Sequence, residues 1–147
     1  MNPFFRIVRH PYEEPYHLNL VISASNGRQG GELEVYANAD DLRVLASELR
    51  EVPGNKREAI WELGSEKPED QFAFYFRCRA YQVTSAGECA VELRFNNNEP
   101  PPARQISEFS IRAMPADLDR LADLLEHFGR LEHRALQWNI ASGELRE

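Results

Sequence analysis

Residues 72–81 read FAFYFRCRAY and alternate almost without error. Phe72, Phe74, Phe76, Cys78 and Ala80 fall on one side, and Ala73, Tyr75, Arg77, Arg79 and Tyr81 on the other. Side chains on a strand point to opposite faces with period two, so the stretch predicts a long strand with one face in a core and one in water. Thr84, Ser85, Ala86 and Gly87 supply a turn, after which residues 88–96 place Cys89, Val91, Leu93 and Phe95 on one face. A turn centred on Ser85 and Ala86 sets Ala80 opposite Val91, Cys78 opposite Leu93 and Phe76 opposite Phe95, so that both apolar sets share a side. The same register sets Arg79 opposite Glu92 on the outer face. It also leaves Cys78 and Cys89 several rungs apart, beyond the reach of a disulfide.

Working outward, residues 59–63 form a short strand containing Trp61, and residues 64–70 a polar turn. Residues 96–104, NNNEPPPAR, are a proline-rich loop, and residues 107–113 return as a strand with Phe109 and Ile111 inward. Towards the N-terminus, residues 17–24 alternate Leu18, Leu20, Ile22 and Ala24 against polar neighbours. Asn26 and Gly27 follow, a strong hairpin signal because both turn positions need positive φ. A two-residue turn there pairs Leu20 with Leu33 and Leu18 with Val35; a longer loop through Gly30 and Gly31 is the alternative. Residues 1–15 are punctuated by proline and read as an irregular segment. Asn38 caps a helix with Asp40 and Asp41 in its first turn, Leu42, Leu45, Ala46 and Leu49 forming its apolar stripe and Pro53 and Gly54 its stop. Pro115 opens a second helix with Leu118, Leu121, Leu124, Leu125 and Phe128 on one face. Residues 135–140, around Trp138, allow one more short strand.

The expected architecture is a single α+β domain spanning residues 1–147. One antiparallel sheet of about six strands, in the order β-β-α-β-β-β-β-α, is packed on one face by the two amphipathic helices. At 147 residues the core needs neither disulfide nor metal, and two cysteines outside a secreted context read as reduced core residues. The formal net charge of −7 argues against nucleic acid and anionic membrane surfaces and favours a basic partner. No run approaches the length of a membrane helix. Arg6 and Arg9 interrupt the start of the chain where a signal peptide would be apolar, so a cytoplasmic location is expected.

No catalytic, metal or nucleotide motif is present, and the chain calls for no cofactor. The outer sheet face is the leading candidate site: Tyr36, Tyr75, Arg77, Arg79, Tyr81 and Arg94 belong to the residue types enriched where proteins bind proteins. The competing reading of this face is a solvated surface whose opposite charges pair across strands. An alternative pocket lies between the N-terminal segment and the sheet, near His10, His17, Tyr36 and Trp61. Residues 10–17, HPYEEPYH, hold two histidines and two glutamates, but without HxH or HExxH spacing they read as a loop over the sheet edge rather than a metal site. The glycines of residues 25–31, SNGRQGG, lead into a strand rather than a helix, so they read as a hairpin and not as a phosphate cradle. Three consecutive prolines hold an extended segment, either a docking strip or a spacer. Cys78 falls on the core face, where a thiol is inert.

The helix DDLRVLASEL (residues 40–49), the hairpin FAFYFRCRAY–ECAVELRF and the strand EFSIRAM running into PADLDRLADLLEHF resemble, in element order, small bacterial immunity proteins that neutralise toxins. The resemblance implies function by surface complementarity, an acidic protein blocking a basic toxin, and brings no catalytic residue with it. The sequence therefore predicts a non-enzymatic protein-binding module. A small-ligand protein or enzyme using the N-terminal pocket, or a homodimer formed through the sheet face, is the competing expectation.

Overall fold

The computed structural model describes residues 2–11, 17–55, 57–140 and 142–147. Its elements, in chain order, are β1 (Phe4–His10), β2 (Leu18–Ser25), β3 (Gly30–Ala37), α1 (Ala39–Glu51), β4 (Ala59–Gly64), β5 (Tyr75–Gln82), β6 (Cys89–Asn96), β7 (Ile106–Ala113), α2 (Pro115–Phe128), β8 (Ala135–Trp138) and β9 (Gly143–Arg146). The protein is α+β, and among the described residues every strand pair is antiparallel.

The central hairpin has the register that its apolar pattern demands: Phe76 faces Phe95, Cys78 faces Leu93, Ala80 faces Val91 and Arg79 faces Glu92. Its leading edge is shorter than the alternation suggests. β4 ends at Gly64, whose φ of 79° turns the chain aside, so residues 72–74 have no strand beside them and Phe72 is left 50% exposed. Both cysteines are free and buried.

The expected single six-stranded sheet is instead two sheets, of order β3-β2-β1-β8-β9 and β4-β5-β6-β7. α1 separates β3 from β4, and the sheets meet by packing rather than by hydrogen bonding: the β3 backbone at Gly31 lies against the Phe95 ring, where a Cβ would collide. The helices pack on each other, α1 also against β4 and α2 against β8 and β9, so they bridge the two sheets instead of covering one. One apolar cluster runs through both sheets and both helices, with Phe5, Phe76, Phe128 and Trp138 fully buried.

The segment expected to be irregular contains β1, the middle strand of the five-stranded sheet. Its inward set is Phe5, Ile7 and Arg9, and the charge interrupts the apolar alternation. Arg9 is accommodated because its guanidinium donates to the carbonyls of His133 (3.0 Å) and Leu131 (3.1 Å) beyond α2. The first hairpin is also corrected. Its loop has four residues, Asn26 to Gln29, closed by Asn26 N–H to Gln29 O at 3.0 Å. Ile22 therefore faces Leu33, Leu20 faces Val35 and Leu18 faces Ala37, two residues away from the tight-turn register but with the same faces inward.

Both helices start as their caps dictate. The Asn38 side chain accepts from Asp40 N–H at 2.9 Å while Asp41 returns a bond to Asn38 N–H at 3.1 Å. α2 begins at Pro115, and Asp117 accepts from Met114 N–H at 2.8 Å.

Candidate functional site

The outer face of the four-stranded sheet is built by alternation alone. Because Phe76, Cys78 and Ala80 point inward, Tyr75, Arg77, Arg79 and Tyr81 must point outward, joined by Glu62 and Ile60 of β4, Glu92 and Arg94 of β6, and Glu108 and Arg112 of β7. One rung runs Glu62, Arg77, Arg94, Glu108 across four strands. Two arginines side by side would repel, and the neighbouring carboxylates relieve this. Arg77 binds Glu92 and Glu108, each at 2.8 Å. Arg94 binds Glu66 at 2.8 Å. Arg79 binds Glu58 at 2.7 Å and lies over the Tyr81 ring, 4.2 Å from its centroid. The Tyr75 hydroxyl donates to Glu62 at 2.6 Å.

These contacts fix protonation states. The hydrogen bond from Arg79 holds the Glu58 carboxyl below its usual range. At Glu66, partial burial works in the opposite sense, but the bonds from Arg94 and Asn96 outweigh it and lower the pKa. Burial, and then the bond to Glu62, push the Tyr75 phenol up to about 12. The face thus carries a fixed pattern of charges of both signs, with a neutral phenol between them. On the inner side, burial pushes the Cys78 thiol up to about 12.

Tyr36 does not join this set. It lies on the outer face of the other sheet, 51% exposed, on a rung that runs His10, Asn19, Tyr36. His17 is exposed just before β2. Trp61 is on the inner face of β4, edge-on to Phe76 with ring centroids 5.4 Å apart. Trp61, inside the four-stranded sheet, is thus apart from His10, which shares its rung with Tyr36 on the five-stranded one. Most of the HPYEEPYH segment, residues 12–16, lies outside the described residues. Among the described residues no three His, Cys, Asp or Glu side chains come together in a way that holds a metal ion.

The glycine-rich loop spends its amides internally: Asn26 Oδ1 accepts from Arg28 N–H (2.9 Å) and Gln29 N–H (2.8 Å), and Ser25 Oγ accepts from Gly27 N–H (3.0 Å). The proline-rich loop is not a straight strip, because Ala103 N–H donates to Pro100 O at 3.1 Å and turns it back. Two grooves, of about 430 and 440 Å³, flank this loop and share Arg104 and Ile106 as walls. Asn98, with φ 53°, ties the loop to the turn before β5 by donating to Ser65 O (2.8 Å) and Phe72 O (3.0 Å). Sequence reasoning did not single out Asn98 or Glu66. The run of three asparagines was the available signal, since asparagine tolerates positive φ and bonds to nearby backbone.

Comparison with known proteins adds no identification: no family model, no curated protein and no solved structure matches the chain. Among the described residues, no helix is long and apolar enough to cross a membrane.

Proposed function

We propose that this protein is a non-enzymatic binding module that docks a basic protein on the open face of its four-stranded sheet, as an immunity protein blocks a toxin. One observation carries the reading. Arg77, Arg79 and Arg94 on an uncovered face are each held by carboxylates before any partner arrives. Side chains already held in place lose less freedom on binding, and alternating charge sets register and rejects wrong partners. The formal charge of −7 favours a basic partner over an acidic one.

The test begins with capture from the producing cells and is completed with the purified partner. The expected result is a one-to-one complex with a basic protein, weakened by salt and lost when Arg77→Glu and Arg79→Glu are combined. Circular dichroism establishes that the double variant is folded. A folded double variant that binds the same partner with unchanged affinity overturns the reading, as does a two-fold dimer that occupies this face.

A further inference from the structure

We infer that the cleft between α1 and β4 accepts a lysine or arginine side chain from a basic partner, which adds a specific anchor to the reading above. The cleft has a volume of about 230 Å³. That is below the roughly 300 Å³ at which small-molecule pockets begin, and suits a single side chain. Its construction follows from the two elements. α1 buries Leu42, Leu45, Ala46 and Leu49 and turns the flank carrying Asp41, Val44 and Glu48 towards β4. β4 answers with Ile60, Trp61 and Glu62.

Leu45 and Trp61, both buried, form the floor, and Val44 and Ile60 remain 52% and 42% exposed as apolar walls. The charged members of the lining are carboxylates, Asp41, Glu48 and Glu62, with no cation among them. Each keeps acceptor capacity. Asp41 uses one oxygen on Asn38 N–H and Glu62 uses one on the Tyr75 hydroxyl. Glu48 has no hydrogen bond or ion pair among the described residues. On the neighbouring sheet face Arg77, Arg79 and Arg94 each have a glutamate, whereas the lining of this cleft joins carboxylates to apolar surface and contains no cation. Apolar walls below a carboxylate rim match a long aliphatic stem that ends in a cation. Trp61 lines the cleft and is 5% exposed, so its indole resonance lies close to an occupant.

The test is an NMR titration with two capped peptides, one alternating arginine with serine and the other glutamate with serine. The arginine peptide is expected to shift the Trp61 indole N–H and the amides of Val44, Glu48 and Ile60, while the glutamate peptide shifts none of them. Glu48→Lys and Val44→Arg, both at accessible helix positions, should each weaken binding about tenfold or more. Absence of shifts at the cleft, or binding unaffected by Glu48→Lys and Val44→Arg, overturns the inference. Shifts confined to the sheet face, and lost only in the arginine double variant, overturn the cleft while leaving the proposed sheet-face function standing.

Discussion

Tyr75 shows how a single residue on an open sheet face comes to matter for stability. It is buried although its neighbours Arg77 and Arg79 reach water, and its hydroxyl is held by Glu62. Its phenol rises from 10.0 to about 12. The folded chain therefore keeps this proton over a range in which the unfolded chain releases it. The contribution is complete below pH 10.0 and declines as pH rises towards 12. Denaturant unfolding on either side of pH 10 should show this loss, and Tyr75→Phe should remove part of the alkaline decline and, by taking the hydroxyl from Glu62, lower stability at neutral pH by about 1 kcal/mol. At this scale most of the candidate face was legible. Period two places Tyr75, Arg77, Arg79 and Tyr81 on one face from local backbone geometry, and the hairpin register adds Arg94. Which glutamate each arginine selects was not legible beyond the Arg79–Glu92 pair. Glu66 and Glu58 enter from turns and strand ends, whose side-chain directions follow no period.

Among the elements, alternation settled which faces point inward, but it settled the register only where the turn was also read correctly, which excludes β2 and β3. β5 and β6 are the clear case, and the two helices, with their Asn38 cap and Pro115 start, are another. β1 escaped because an arginine occupies an inward position, and β9 because GELR has no apolar alternation to read. The division into two sheets escaped for a different reason. Alternation tells which face of a strand is buried but not which strand lies beside it, so Tyr36 was grouped with residues of another sheet. The contact between the sheets depends on Gly31, whose missing side chain lets β3 lie on Phe95. Gly31→Ala should force one of them to move. An overpacking cost of about 1–3 kcal/mol is expected, read as a lowered denaturation midpoint. Gly30→Ala should cost less, since its Cβ would stand 3.1 Å from the Ala24 backbone oxygen, whereas at Gly31 it would collide with the Phe95 ring.

For the whole molecule, the decisive strand is the one nearest the start of the chain. β1 hydrogen-bonds β2 on one side and β8 on the other, and β9 is attached to the sheet only through β8. Deleting residues 2–11 should therefore cost more than one strand. The expected result is loss of the cooperative unfolding transition and of the near-ultraviolet signal of Trp138, which packs beside Phe5 on that strand; a deletion variant that still unfolds cooperatively contradicts this account of the sheet. The same pairing bears on biosynthesis. β1 emerges from the ribosome before β8, and residues 11–134 must follow before its second neighbour exists. At about 5–20 residues per second, that edge stays unpaired for on the order of ten seconds. Throughout that interval the nascent chain carries an open strand edge with Phe5 and Ile7 beside it. On a crowded polysome, the β8–β9 ribbon of a neighbouring copy fits that edge as well as its own does, so strand exchange between copies is the misassembly to which this topology is most exposed.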